Sequence, residues 1–255
     1  MFEFPLIRFD NRKWLEKLQE GEFYMRNSLY YQRLENDDKA RSDPFDGSIP
    51  FPDKNGVMEK ISGRRTENQR LMLFNRFVKC FLHCDKSMVQ KIGESLWKIV
   101  FPEETKKEIR DFKVDSALVV FSPTTFIEQV KSACEANQER VWCDDVLYLN
   151  TADYQRKTKL LFENPQKVYE VPFCKDIRFM NQKEFRVCVQ HPFAGIDRKK
   201  KFLDLPAEIA EESYSLNIGP IVDSCIISID NLLKNGILYD PSISHYYISE
   251  ENDDA

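Results

Sequence analysis

Gln182 and Glu184 are the residues whose types and spacing best suit chemistry on a small molecule. They stand near the start of the stretch 179–190, in which apolar residues occupy alternate positions from Phe185 onward. This period-two alternation predicts a strand with one buried face, and residues two apart on a strand share a face. The pattern therefore predicts that Gln182, Glu184 and Arg186 present their side chains on one polar side.

A carboxylate and an amide so placed, joined by an arginine and tyrosines from elsewhere, suit cleavage of the bond between nicotinamide and ribose in NAD. That reaction passes through an oxocarbenium-like ribose, so a carboxylate at the ribose hydroxyl stabilises charge that develops only in the transition state. We assign this role to Glu184, and the orientation of the nucleophile to Gln182. Arg26 is the candidate for binding the diphosphate, and Tyr30 and Tyr31 are the candidates for stacking on nicotinamide. The alternative is a solvent-facing strand on which Glu184 pairs with a neighbouring lysine.

A second group of charged residues follows in an Asp-rich segment. Arg41, Asp43 and Asp46 place both signs of charge beside Phe45, a large apolar residue in a polar region. Such a segment could act as a lid or read the target of an enzyme. Asp43 and Asp46 could also join Glu184 to hold a divalent ion for a nuclease. Against both readings, Asp-Pro and Asp-Gly are common turn formers.

The elements that must position these residues begin at the N-terminus. Apolar spacing predicts a helix over 11–20 that ends at Gly21, followed by a strand over 22–25 that leads to the candidate diphosphate-binding arginine. A capped helix is predicted over 27–35, where the two stacking candidates lie. The segment 36–68 is dense in Asp, Gly, Pro and Asn, which predicts a mobile polar loop.

The rest of the chain mixes short strands with helices. We predict strands over 71–84, 116–122, 145–150, 179–190, 200–205, 216–222 and 224–229, and helices over 87–100, 123–138, 157–164 and 229–236. Irregular mixing without βαβ alternation is typical of an α+β domain with a mixed, mostly antiparallel sheet and flanking helices. We expect one domain over 1–255, with a flexible acidic tail at about 249–255.

The charge and hydropathy of the chain narrow the classes of function. The formal net charge is -5, without long blocks of one sign apart from 198-RKKK-201 and the acidic end. This balance excludes a protein that coats nucleic acid, although it leaves room for a local basic groove. No apolar run approaches the length of a membrane span and no leader pattern opens the chain, so we expect a cytoplasmic protein without a membrane partner.

The cysteines predict structure rather than chemistry. Seven of them are scattered along the chain, mostly in apolar runs, which is typical of reduced thiols in a cytosolic core. Cys80, His83 and Cys84 cluster in sequence. On a strand, however, His83 faces away from the two thiols, so the three cannot converge on a metal. We expect them to pack in the core, and we expect no metal site.

Several segments together resemble bacterial proteins of poorly defined function that are associated with phage defence or toxin–antitoxin loci. The segments are 21–35, 41–47, 117–130, 146–150, 181–187 and 217–223. Their layout also resembles ADP-ribosyltransferase toxins, in which an arginine, a Ser-Thr-Ser strand and a Gln-x-Glu or Glu-x-Glu pair follow one another. Arg26 would match the arginine, and Gln182 with Glu184 the final pair. The middle motif departs from the pattern, because 122-SPTT-125 stands there and its proline suits the start of a helix.

The resemblance implies an ADP-ribosyltransferase-like fold, NAD as the substrate, and a nucleic acid or a protein as the target. It also implies an antitoxin or inhibitory partner protein. The leading hypothesis is therefore an NAD-dependent transferase that acts as an anti-phage defence effector or toxin. Two alternatives stay open: a non-catalytic sensor or interaction module of a phage-defence system, and the metal-dependent nuclease.

Overall fold

The structure is a computed structural model that describes residues 4–27, 51–52, 58–59, 76–191, 213–240 and 245–247. Its strands are β1 (Leu6–Asp10), β2 (Glu22–Asn27), β3 (Phe51–Pro52), β4 (Met58–Glu59), β5 (Arg76–His83), β6 (Val89–Lys91), β7 (Trp97–Ile99), β8 (Ser116–Val120), β9 (Arg140–Asp145), β10 (Leu147–Leu149), β11 (Cys174–Asp176), β12 (Glu184–Gln190), β13 (Ser213–Asn217), β14 (Ser224–Ser228), β15 (Ile237–Asp240) and β16 (His245–Tyr247). Its α-helices are α1 (Arg12–Gln19), α2 (Glu103–Asp111), α3 (Pro123–Ala136), α4 (Thr151–Glu163) and α5 (Ile229–Asn235). Shorter 3-10 helices cover Lys86–Met88, Pro165–Phe173 and Ile177–Gln182.

The main sheet forks at β5. Strand β12 pairs along one side of β5, and β9 extends the sheet beyond β12. On the other side, β2 pairs with β5 at Phe77 and Val78, whereas β1 pairs with it at Leu82 and His83. Strand β13 adds to β2, and β8 and then β14 add to β1. Because β1 and β2 diverge from one shared strand, a gap opens beside residues 79–81.

The pairings confirm the predicted fold class. Every pairing in the forked sheet is antiparallel, and β10 with β11 forms a short parallel ladder beside it. Strands β16, β15, β7 and β6 form a separate small antiparallel sheet in that order. The described chain is thus α+β, with a mostly antiparallel sheet and helices packed on it.

Each face of the forked sheet has its own apolar core. One core buries Leu15 and Leu18 of α1, Phe126 and Val130 of α3, and Phe81, Leu118 and Val187 of the sheet. The other buries Ile109 of α2, Leu232 of α5, Ile99 and Ile237 of the small sheet, and Ile7, Leu82 and Val119 of the forked sheet. Each such side chain contributes about 1.5–3 kcal/mol by leaving water. Burial on both faces therefore stabilises the sheet.

The turn between α1 and β2 confirms the predicted helix stop. Leu15 and Leu18 are the buried residues of α1, and the chain then turns at Gly21 with a φ of +106°. A Cβ at Gly21 would lie 2.6 Å from the backbone of Gly219, so glycine is required both for the dihedral and for the close approach. This turn sets the direction of β2, and thereby of Arg26. The predicted helices at 123–138 and 229–236 are confirmed as α3 and α5.

The helix predicted over 87–100 is wrong. That stretch forms the 3-10 helix Lys86–Met88 and the hairpin of β6 and β7, with Gly93 in the turn. Apolar residues are frequent enough there to imitate a helical period, but pairing of β7 with β15 decides the outcome. Tertiary pairing often overrides local propensity in short segments. Strand β9 and helix α2 were not predicted, and helix α4 begins six residues before the predicted start at 157.

Two predictions near the site also need correction. Strand β12 begins at Glu184, and the preceding residues 177–182 form a 3-10 helix, so Gln182 does not lie on the strand. The segment 36–68 is not a loop throughout, because β3 and β4 pair inside it. The predicted helix 27–35 begins at Asn27, which ends β2; Tyr30, Tyr31, Arg41, Asp43, Phe45 and Asp46 lie outside the described residues, as do the strand predicted at 200–205 and the tail 249–255.

The cysteines are reduced, as the sequence predicts. All seven cysteines are free thiols, and Cys84 is fully buried. His83 places Nδ1 2.7 Å from a carboxylate oxygen of Asp145 and so has a structural partner. In the part of the chain that the structure describes, no helix combines the length and the apolar character needed to cross a membrane.

Candidate functional site

A cavity of about 510 Å³ opens at the fork of the sheet. Its walls come from β1, β2, β5, α1, α2, β11 and the turn before β12. Arg26, Gln182 and Glu184 are all among the lining residues. The volume lies within the range of ligand-binding pockets in proteins. The fold therefore brings together three of the residues that the sequence singles out.

Arg26 and Glu184 project from the same face of the sheet although their strands are not neighbours. Arg26 lies opposite Val78 on β5, and Glu184 lies opposite Leu82 on the other side of that strand. Directly paired residues share a face, as do residues four apart on one strand. Two strand spacings across and four residues along place the two Cα atoms about 16 Å apart. The space between them is open to a ligand several groups long.

Glu184 is a largely buried carboxylate with a cation on each oxygen. Lys175 Nζ donates to Oε1 at 2.5 Å, and Arg186 donates to Oε2 from Nε at 2.9 Å and from Nη2 at 2.7 Å. The side chains of Lys175 and Arg186 are only 3% and 2% exposed. Burial opposes ionisation, yet the charges and hydrogen bonds of Arg186 and Lys175 hold the pKa of Glu184 down at about 2. Glu184 is therefore a fixed negative charge at physiological pH.

Gln182 and Glu184 both accept a hydrogen bond from Lys175. Gln182 ends the 3-10 helix, and Lys183 turns the chain into β12 with a left-handed φ of 47°. Lys175 Nζ donates to Gln182 Oε1 at 2.7 Å, while Gln182 Nε2 donates to Glu108 of α2 at 3.2 Å. The amide is thus locked between two elements. The period-two pattern predicted that Gln182 and Glu184 share one polar side of a strand. Both side chains do contact Lys175, but Gln182 reaches it from the 3-10 helix and not from the strand.

Lys175 is a site residue that the sequence analysis does not select. It lies in β11, which pairs in parallel with β10 at Tyr148. Tyr148 Oη accepts a hydrogen bond from the Glu184 backbone N–H at 2.9 Å, so β10 and β11 together hold the start of β12. No strand or helix is predicted over 166–178, where Pro172 interrupts the apolar residues. Only the tertiary arrangement shows that its lysine is buried.

Two aromatic residues stand at the mouth of the cavity. Trp14 of α1 and Tyr24 of β2 line it and are 49% and 38% exposed. The Arg26 guanidinium lies 5.3 Å from the centroid of the Tyr24 ring, and Lys17 Nζ lies 5.3 Å from that of Trp14. Exposed rings beside cations suit a ligand that joins a flat ring to an anionic group. These rings offer a stacking surface within the described residues.

Two basic side chains fill the gap of the fork. Arg8 Nη1 donates to the Cys80 carbonyl at 3.0 Å, and its Nη2 contacts Asp10 at 3.0 Å. Lys79 Nζ donates to the Tyr24 carbonyl at 3.0 Å. Carbonyls that lose a strand partner need other donors when they are buried. The divergence of β1 and β2 therefore explains why cations stand at the centre of the sheet.

The cavity lining is richer in positive charge than the chain as a whole. The basic residues in it are Arg8, Lys17, Arg26, Lys79 and Lys175, and the acidic ones are Asp10, Glu22, Glu108 and Glu184. Five basic against four acidic groups contrast with a net charge of -5 for the whole chain. Several of the acids are paired inside the lining, as in Arg8–Asp10 and Lys17–Glu22. The lining is therefore close to electrically neutral, unlike the acidic chain as a whole, and it can accept an anionic ligand beside Arg26.

Glu184 is poorly placed to hold a divalent ion. Among the described residues, no three His, Cys, Asp or Glu side chains come together in a way that could hold a metal ion. Both oxygens of Glu184 contact cations, so a divalent ion there would meet like charge. Asp43 and Asp46, the other proposed ligands, lie outside the described residues.

The middle motif of the resemblance lies away from the cavity. Ser122 donates to Asp223, and α3 begins at Pro123 directly after it. Ser122 and Thr124 are not among the lining residues. In comparisons with protein-family models, curated proteins and solved structures, no match to the chain was found.

Proposed function

We propose that the protein binds NAD in the cavity at the fork and cleaves the bond between nicotinamide and ribose, as ADP-ribosyltransferases do. One observation carries this proposal: Arg26 and Glu184 project from the same face of the sheet into a single cavity. Their Cα atoms stand about 16 Å apart, and an arginine side chain reaches about 6 Å. That geometry leaves room for a ribose at Glu184 and a phosphate at Arg26.

The proposed reaction is a substitution at the ribose carbon that carries nicotinamide. The bond from that carbon to the ring nitrogen breaks, and its electron pair leaves with nicotinamide, which becomes neutral. The ribose carbon gains positive character and then forms a bond to the oxygen or nitrogen of a nucleophile, which loses its proton to solvent water. Glu184 stabilises the positive ribose, and this stabilisation is greatest in the transition state. Arg26 binds the diphosphate, and Trp14 or Tyr24 provides a ring for stacking.

The local electrostatics support this role for Glu184. A carboxylate that stabilises a cation must be ionised, and Lys175 and Arg186 lower the pKa of Glu184 far below neutrality against the opposing effect of burial. The same two cations fix the carboxylate in place, which reduces reorganisation during the reaction. They also offset part of its negative charge. The rate enhancement from Glu184 is therefore smaller than a lone buried carboxylate would give.

The test compares NAD binding with nicotinamide release. Wild type should bind NAD and release nicotinamide, and Glu184→Gln should retain binding while losing turnover by roughly 10²- to 10³-fold. Glu16→Gln is the matched control, because Glu16 lies on the exposed side of α1 and pairs with Arg12 outside the cavity. Calorimetry measures binding, and chromatography measures nicotinamide. Wild type that neither binds NAD nor releases nicotinamide contradicts the proposal.

A second candidate function is nucleotide binding without turnover. The hydrogen bonds that Lys175 and Arg186 donate to Glu184 favour it. Both of its oxygens already accept hydrogen bonds from cations, which is the state of a structural ion pair. In that case wild type binds NAD or a related nucleotide and releases no nicotinamide. Arg26→Ala then weakens binding, whereas Glu184→Gln does not. The proposal of cleavage would then fail, and the cavity would be a recognition site.

The cellular role in this proposal is that of a toxin or an anti-phage effector. It rests on the resemblance of the segments named in the sequence analysis. Cleavage of NAD would also deplete a cell of a central cofactor, which suits a toxin. Expression in bacteria should then slow growth, and Glu184→Gln should relieve the effect. Labelled ADP-ribose recovered on RNA, DNA or protein would identify the class of target.

A further inference from the structure

Lys79 is a buried amine in the wall of the cavity. It lies on β5 between the positions that pair with β2 and those that pair with β1, and it is only 8% exposed. Its Nζ donates to the Tyr24 carbonyl at 3.0 Å. That bond uses an N–H and leaves the nitrogen lone pair of the neutral amine directed elsewhere. Lys79 is thus a buried residue of the cavity lining whose contact with Tyr24 does not engage the lone pair of the neutral amine.

Lys79 differs from the other buried lysine of the cavity in its partners. Lys175 contacts the carboxylate of Glu184, which stabilises its positive charge. Among the described residues, no carboxylate lies within salt-bridge distance of Lys79 Nζ; Asp10 pairs with Arg8, and Glu22 pairs with Lys17. Lys79 also lies near the positive charge of Arg8. Of the two buried lysines in the cavity lining, Lys175 is therefore stabilised as a cation by a carboxylate and Lys79 is not.

The surroundings favour the neutral form of Lys79. Burial, and after it the charge of Arg8, lowers the pKa of Lys79 to about 7, against the opposing influence of Asp10, Cys80 and Glu22. A large share of the molecules then carries a neutral amine near neutral pH. Desolvation and a neighbouring cation are the means by which enzymes make a lysine nucleophilic.

The cavity also selects what can reach this amine. Arg8, Arg26 and Lys175 line it beside Lys79, so anionic compounds are attracted into it. A nucleophilic amine reacts with aldehydes and ketones to form an imine. Compounds that carry both an acidic group and a carbonyl group satisfy the two requirements together.

We propose that Lys79 is a covalent capture site that forms an imine with small anionic aldehydes and ketones entering the cavity. Lys79 Nζ attacks the carbonyl carbon, the electron pair of the C=O bond moves to oxygen, and that oxygen takes a proton from the nitrogen. The nitrogen then forms a double bond to carbon as water leaves with the second proton. The step requires no oxidant or reductant. It is independent of NAD cleavage, although the open-chain form of ADP-ribose belongs to this class of compound.

Pyridoxal 5′-phosphate is a suitable probe, because it is an anionic aldehyde whose imine absorbs visible light. The full chain is incubated with it near pH 7.5, the imine is reduced with borohydride, and the labelled peptides are mapped by mass spectrometry. Lys79 should be labelled roughly tenfold or more above the exposed Lys107, because a lysine with an ordinary pKa is almost entirely protonated at this pH. Lys175 should remain unlabelled.

Two variants and one competitor complete the test. Lys79→Met and Lys79→Arg should both lose the visible absorbance and the label, and circular dichroism should show that each variant is folded. Glyoxylate, a second anionic aldehyde, should reduce labelling of Lys79 in wild type. Equal labelling of Lys79 and Lys107, or an unlabelled Lys79, overturns the proposal. Because no NAD is present, this result is separate from the test of NAD cleavage.

Discussion

Lys175 and Glu184 form an ion pair of 2.5 Å in the wall of the cavity, where the lysine side chain is 3% exposed and the glutamate side chain 11%. Together with Arg186, the pair keeps one negative and two positive charges out of water. Glu184 is therefore both the carboxylate of the proposed reaction and the counter-ion of two buried cations. Its removal affects stability as well as chemistry.

Glu184→Gln should lower the free energy of unfolding by about 3 kcal/mol, because it leaves the charges of Lys175 and Arg186 buried with no neutralising carboxylate. Urea unfolding at pH 7 measures the loss. The double variant Lys175→Met, Glu184→Gln removes one of the stranded charges and should recover part of it, while nicotinamide release stays low. A full recovery of turnover in the double variant would contradict the assigned role of Glu184.

Arg26→Ala should weaken NAD binding about tenfold to a hundredfold, since a charge-assisted contact with phosphate is made in the bound ground state as well as in the transition state. Calorimetric titration with NAD measures the change. Arg12→Ala is the matched control, because Arg12 on α1 is 61% exposed at its side chain and pairs with Glu16. Equal effects of the two substitutions would show that Arg26 does not contact the ligand.

The sequence predicts the α+β class and the elements whose signals are local. Helix α1 with its glycine stop, strand β8 and helix α3 with its first-turn proline each carry their own pattern, and each is found where predicted. The hairpin of β6 and β7 carries an ambiguous pattern, and its pairing with β15, far along the chain, decides it. No local signal could reveal that pairing.

The candidate site is predictable only in part for a related reason. Glu184 and Arg26 can be selected from the sequence because their residue types suit the chemistry. The fork of β5 depends on two strands that share one partner, and the burial of Lys79 and Lys175 follows from that geometry. The stretch 179–183 was predicted as strand, but the left-handed turn at Lys183 ends the 3-10 helix there. A lysine is a rare residue in that conformation, so the sequence carries no sign of it.

Gly21→Ala should destabilise the protein by more than about 2 kcal/mol, because it adds a Cβ that meets the Gly219 backbone at 2.6 Å and forces a side chain into a positive φ. Gly219→Ala is the matched control: its φ is +74°, but a Cβ there has open space around it. That variant should cost only about 1 kcal/mol. Thermal unfolding measures both, and equal losses would show that the close approach of the two glycines is unimportant.

Lys79→Met should make the stability of the protein less dependent on pH. The pKa of a lysine in the unfolded chain is about 10.4, whereas in the folded protein burial lowers the pKa of Lys79 to about 7. Below pH 7 the lysine is charged in both states, and the folded state carries the full cost of burying that charge. Between about pH 7 and 10 the unfolded state binds more protons, so the free energy of unfolding of wild type rises with pH through this window.

The measurement is urea unfolding of wild type and Lys79→Met at pH 6, 7.5 and 9. Methionine removes the buried charge but also the donor to the Tyr24 carbonyl, which costs about 1 kcal/mol. The variant should therefore be the more stable of the two at pH 6, and its advantage should shrink as pH rises to 9. Arg8, Asp10, Cys80 and Glu22 are the titratable groups that influence Lys79, and all four are present in both proteins. Lys107→Met changes an exposed position and is the control, which should show no such trend. A constant difference in stability between Lys79→Met and wild type across the three pH values would show that Lys79 does not titrate in this window.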